Sequence, residues 1–91
     1  MANKQGVRPE DILADGVDTT IINGKQVRKG TVAAFVANIE ILEDSTASEA
    51  AKQDALAMLK MLAKDVVAVG LPKHVVFKNE VVKKLLADAE G

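Results

Sequence analysis

A basic segment at residues 25–31 (KQVRKGT) is the part of this sequence best suited to chemistry. Its three cations lead into a Gly-Thr pair that is typical of a helix start. Exposed N–H groups, the positive end of a helix dipole and nearby Lys and Arg side chains favour anion binding. The candidate ligands for a phosphate group or for nucleic acid are Lys25, Arg28, Lys29 and Thr31. The alternative explanation is a hairpin edge that Lys and Arg keep soluble.

A second basic group, Lys83 and Lys84, is predicted on the outer side of the last helix. These lysines could add phosphate contacts, which supply affinity without sequence specificity. A helix-turn-helix around Gly70 matches only in part, because Asp65 stands where a buried apolar residue is expected. The formal net charge of -1 provides no global field toward nucleic acid. Nucleic-acid or phosphate-ligand binding is therefore the secondary hypothesis.

Catalytic and metal chemistry have little support, since the chain contains one histidine and no cysteine. His74 has no second metal-type ligand one helical turn away, where Phe77 and Lys78 stand. Neighbouring acids such as Glu43 and Asp44 lie beside turns and helix starts, where solvent and the helix dipole account for them. We therefore expect a protein that is not an enzyme, with no catalytic residues, no metal site and no cofactor.

The composition indicates one small folded domain, because 91 residues with 48% hydrophobic and 27% charged side chains are ordinary globular usage. Phe35 and Phe77 are the only aromatic residues, which leaves few platforms for stacking on bases. The first residues lack an apolar core of the signal-peptide type, and no apolar run is long enough to span a bilayer. Together with the absence of cysteine, this favours a cytoplasmic protein without a membrane partner.

The chain divides into a polar arm at residues 1–8 and one compact domain at residues 9–91. Pro9 followed by two acids predicts a short helical turn. The Asn23-Gly24 dipeptide suits a type I′ turn and predicts a hairpin from Asp18 to Lys29. The residues expected on its more apolar face are Thr20, Ile22 and Val27.

Three helices are predicted after the hairpin. Thr31 is the expected N-cap of the first, and a capping box between Thr46 and Glu49 is expected to open the second. Gly70 should end the second helix, and Asn79 should cap the third. Residues 71–78 fit either a strand joining the hairpin or one helical turn, with the extended conformation slightly favoured. The core stripe predicted for the first helix is Val32, Phe35, Val36, Ile39 and Leu42, and that for the last is Val81, Val82, Leu85, Leu86 and Ala89.

These elements predict an α+β domain in which a hairpin packs on a helical majority. Apolar residues outside the main stripes suggest a second buried surface, and the candidates for self-association are Ile41, Ala57 and Met61. Residues 31–59 carry one lysine and five acids, whereas residues 60–91 carry six lysines and four acids. Such asymmetry could pair subunits. The favoured hypothesis is a small interaction or adaptor protein that forms a homodimer or binds a protein partner.

Overall fold

A hairpin and three helices follow one another in a computed structural model that describes residues 18–91. The strands are β1 (Thr19–Ile22) and β2 (Lys25–Arg28). The helices are α1 (Thr31–Glu43), α2 (Glu49–Val69) and α3 (Glu80–Glu90), with a 3₁₀ turn at Leu71–Lys73. The predicted α+β arrangement of a hairpin with a helical majority is confirmed. The predicted arm at residues 1–8 and the helical turn after Pro9 lie outside the described residues.

The hairpin forms as the Asn-Gly dipeptide predicts. Asn23 and Gly24 have φ values of 51° and 79°, the positive values that a type I′ turn requires. Thr20 pairs with Val27 across the ladder, so the expected apolar face is correct. Val27 on that face is buried, which anchors the hairpin on the helices.

Two polar contacts attach the hairpin tip to the end of α2. The Asn23 side-chain amide donates a hydrogen bond to the carbonyl oxygen of Ala68, one of the four carbonyls that a helix leaves unpaired at its end. Lys25 Nζ lies 3.5 Å from a carboxylate oxygen of Asp65. An isolated two-stranded hairpin is marginal in water, so these contacts and the burial of Val27 fix its position.

The core lies along α2, against which α1 and α3 both pack. Its buried members come from all three helices and are Phe35, Leu59, Ala63, Val66, Val82, Leu85 and Leu86. The stripe predicted for α3 is correct except for Val81, which is 49% exposed. α2 and α3 supply three buried residues each and α1 supplies Phe35, and α2 is the central helix of the three.

The stripe predicted for α1 is wrong in part. Val32 and Val36 are exposed, whereas Thr31 is buried beside Phe35. The Thr31 hydroxyl donates a 2.7 Å hydrogen bond to the Arg28 carbonyl, so this polar side chain can be buried without an unpaired group. The helix is apolar on both sides, and packing on α2 decides which side faces the core.

Two predicted caps are also corrected. Gly30, with φ 83°, is the N-cap of α1 and provides no side-chain bond, while Thr31 is already helical. Ser48 is the N-cap of α2 and accepts from Ala51 N–H at 3.1 Å. Thr46 instead donates its hydroxyl hydrogen bond to a carboxylate oxygen of Asp44.

The caps predicted at the other two helix ends are confirmed. Gly70 has φ 92° and its N–H bonds back to Val66 and Val67 carbonyls. The Asn79 side-chain oxygen accepts from Val81 and Val82 N–H at 2.9 and 3.1 Å. Glycine and asparagine are favoured at these positions for local reasons, which is why sequence alone located them.

Residues 71–78 do not add a strand to the hairpin. Leu71–Lys73 forms the 3₁₀ turn, and the sheet within residues 18–91 contains only β1 and β2. The Val75 N–H bonds to the Leu71 carbonyl at 3.1 Å, which keeps this part close to the turn. The strand that was slightly favoured for residues 71–78 is therefore wrong, and the alternative of one helical turn is met by the 3₁₀ turn at Leu71–Lys73.

Candidate interaction surface on helix α1

The outer face of α1 exposes several aliphatic side chains to solvent. We define it by the exposed residues that lie opposite the core side of the helix, which are Val32, Ala33, Val36, Ala37, Glu40, Ile41 and Glu43. Val32, Val36 and Ile41 are 38%, 45% and 39% exposed. Glu40 and Glu43 are the charged side chains in this set. The outer face covers about half of the helix circumference at 100° per residue, with Val32 and Ile41 near its two edges and Glu40 near its middle.

Such a helix differs from an ordinary surface helix, which carries charged residues opposite its core stripe. α1 contains only two charged residues, Glu40 and Glu43. From Val32 to Ile41 the outer face extends over about 14 Å at 1.5 Å per residue. A helix that is apolar on both sides is usually buried on both sides, so the outer face is the candidate contact surface.

The charges at the two ends of α1 oppose its own dipole. Arg28 and Lys29 are exposed immediately before its N-terminus, and Glu40 and Glu43 lie near its C-terminus. The first turn contains no acid and the last turn no base, while Gly30 offers no side-chain cap. Because a helix dipole favours anions at the N-terminus and cations at the C-terminus, this arrangement disfavours α1 in isolation.

A shallow groove connects the basic end to the outer face. It encloses about 220 Å³ and is lined by Arg28, Lys29, Val32 and Ala33 among others. Every buried polar side-chain atom in the described part of the chain has a hydrogen-bond partner. Ile22, Val27, Val32, Ala33 and Val69 make the groove mainly apolar, with the cations Arg28 and Lys29 also in its lining.

The structure places the predicted anion-binding residues in different environments. Lys25 pairs with Asp65, and Lys83 pairs with Glu80 at 3.1 Å. The Thr31 hydroxyl donates its hydrogen bond to the Arg28 carbonyl oxygen. Lys83 and Lys84 lie on α3, which packs against α2. The segment therefore presents two exposed cations beside a helix N-terminus, Arg28 and Lys29.

The predicted self-association residues lie on two helices. Ile41 belongs to the outer face of α1, while Ala57 and Met61 are exposed one turn apart on α2. Charged Asp54 and Lys60 are exposed near that pair. Val32 and Val36 were missed as surface residues because they were expected in the core. The signal available in the sequence was the low charge content of α1.

Other kinds of site find no support within residues 18–91. The exposed His74 has no cluster of metal-type ligands around it, since no group of three or more such side chains gathers there. None of the helices in this range combines the length and apolar character needed to cross a bilayer.

Comparisons with protein-family models, curated proteins and solved structures find no match to this chain.

Proposed function

We propose that this protein is a small non-enzymatic interaction protein that self-associates through the outer face of α1. The observation that carries the proposal is the exposure of Val32, Val36 and Ile41 on a helix with only two charged residues. Removing such side chains from water contributes favourably in proportion to the area buried. A small domain also has limited capacity to bury its own apolar surface, which favours burial against another copy.

The expected contact belongs to the smaller protein interfaces, among which weak and transient contacts are common. An ordinary protein interface covers about 800 Å² of each partner, or about an eighth of this chain's 6632 Å² accessible surface. One helix face and the groove beside it fall toward the lower end of that range. We therefore expect a reversible dimer with a dissociation constant on the order of 10 μM.

The alternative surface on α2 is less suitable. Ala57 and Met61 are exposed there, but Asp54, Lys60 and Lys64 surround them on the same side of the helix. A partner covering this surface would remove several charges from water, which costs free energy unless each is paired. The outer face of α1 carries two charged side chains, Glu40 and Glu43, and the exposed Arg28 and Lys29 before the helix can pair with carboxylates of a second copy.

Sedimentation equilibrium of the full chain between about 1 and 300 μM tests the proposal around the expected affinity. We expect the mass to rise from monomer to dimer with concentration. Val36→Lys should keep the protein monomeric, because it replaces an aliphatic side chain midway along the outer face with a charge. Met61→Lys is the matched control and should dimerise like the parent chain. A monomer at every concentration, or loss of the dimer in Met61→Lys alone, would reject the α1 surface.

Phosphate-ligand or nucleic-acid binding is the second candidate, supported by the exposed Arg28 and Lys29 beside the α1 N-terminus. Phosphate contacts weaken steeply as salt rises, whereas an aliphatic interface does not. An amide-resolved NMR titration with inorganic phosphate and with a short mixed-sequence DNA duplex, at low and at physiological salt, distinguishes anion binding from self-association. Shifts at residues 25–31 that persist at physiological salt would favour this candidate.

A further inference from the structure

We infer that two copies pack α1 against α1 in antiparallel orientation, with Glu40 of each copy beside Arg28 and Lys29 of the other. This inference rests on the proposed self-association and specifies its geometry. The occupant of the outer face is thus a second copy of this chain. The reason is that the charges at the two ends of α1 are complementary to each other.

The charge arrangement of α1 explains the antiparallel orientation. Each helix has cations before its N-terminus and carboxylates near its C-terminus, opposite to what its own dipole favours. Antiparallel packing brings the carboxylate end of one copy to the cationic, uncapped end of the other. Parallel packing would place like charges together, which is unfavourable in an interface.

The spacing along the helix supports a two-fold axis near Val36. Val32 and Glu40 are each four residues from Val36, so this axis places Glu40 of one copy opposite Val32 of the other. Val32 lines the same groove as Arg28 and Lys29, within reach of an Arg or Lys side chain. Small residues on either side of Val36, Ala33 and Ala37, allow the helix axes to approach to about 8–9 Å.

Glu40 is the carboxylate available for this contact. Glu43 already accepts a 3.0 Å hydrogen bond from the Asn79 side-chain amide. Glu40 lies in the outer face itself, is exposed, and has no side-chain hydrogen bond or ion pair within residues 18–91. In the antiparallel pair its charge faces the cations and the first N–H groups of the second helix. The charge of Glu40 then strengthens the contact and selects its orientation.

Charge reversal and charge exchange test the geometry by sedimentation equilibrium of the full chain. Glu40→Arg and Arg28→Glu should each raise the dimer dissociation constant about tenfold, because each dimer contains the pair twice. The double variant should return to within about threefold of the parent chain, since the pair is restored with its signs exchanged. Asp54→Arg makes the same change in net charge as Glu40→Arg but on α2, so it is the control for that variant and should leave the dissociation constant unaltered.

The outcomes separate this inference from the proposal beneath it. Self-association stands and the antiparallel pairing is wrong if Val36→Lys abolishes the dimer but the charge variants leave its dissociation constant unchanged. The same conclusion follows if the double variant dimerises no more tightly than the single variants. A parent chain that is monomeric throughout rejects both. A monomer in which Val36→Lys moves amide signals of residues 9–14 would assign the outer face to the chain's own N-terminal segment and would also overturn the inference.

Discussion

The rings of Phe35 and Phe77 meet edge to face, with centroids 5.6 Å apart and planes at 73°. They are the only aromatic residues in the chain. Phe35 is fully buried on the core side of α1, and Phe77 lies in the segment between the 3₁₀ turn and α3. This contact therefore joins α1 to a segment without regular secondary structure and holds the approach to α3 in place.

Truncating Phe35 or Phe77 should lower the free energy of unfolding, and the two losses should not be additive. Phe35→Ala should lower the free energy of unfolding by about 3–5 kcal/mol, because it empties a fully buried site. Phe77→Ala should cost less, since that ring is only partly buried. The double variant should reveal a coupling of about 1 kcal/mol between the rings. Urea denaturation of all four proteins at one concentration measures the cycle, and additive losses would show that the rings do not interact.

Two substitutions in the hairpin turn separate the energetic cost of its backbone conformation from the contribution of its hydrogen bond. Gly24→Ala should destabilise the fold by about 1–2 kcal/mol because φ at this position is 79°. A Cβ there would meet no atom within 4 Å, so the cost is conformational and not steric. Asn23→Gly keeps the turn accessible and removes only the bond to the Ala68 carbonyl, for an expected loss of about 1 kcal/mol. Urea unfolding measures both, and an unchanged Asn23→Gly stability would argue against that bond.

The N-terminus of α2 distinguishes the observed cap from the expected one. Ser48→Ala should cost about 1 kcal/mol, because the serine oxygen accepts the Ala51 N–H. Thr46→Ala should cost less, since Thr46 bonds to Asp44 and not to the helix. Thermal unfolding followed by circular dichroism compares the two. The reverse order would restore the capping box at Thr46.

Asp44 should titrate below its ordinary range. The hydroxyl and backbone N–H of Thr46, followed by the charge of Lys52, stabilise the carboxylate and lower the pKa of Asp44 from 3.8. A group with a depressed folded-state pKa stabilises the fold above its ordinary pKa and loses that contribution as pH falls through the folded-state value. Carboxyl ¹³C NMR titration measures this, and Thr46→Val should move the pKa of Asp44 upward. An equal pKa in the two proteins would exclude the hydroxyl as the main cause.

The sequence by itself determined the features that depend on a few neighbouring residues. Asn23 and Gly24 adopt positive φ at low cost, Gly70 ends α2 for the same reason, and Asn79 caps α3 through its own side chain. The amphipathic stripe of α3 was also largely predictable, because charged residues mark the opposite side. Those local preferences agree with the final packing, so no distant contact was needed to identify them.

Tertiary structure alone decided which side of α1 faces the core. Its outer face and its core side are both rich in apolar residues, so hydrophobic periodicity could not rank Val36 against Thr31. Packing on α2, together with the bond from Thr31 to the Arg28 carbonyl, selects the observed rotation. The conformation of residues 71–78 likewise depends on the distant contact between Phe77 and Phe35. Apolar area that is buried between residues far apart in sequence favours one packing over another, and local propensity contains no information about it. The candidate surface on α1 could therefore be identified only in the folded chain.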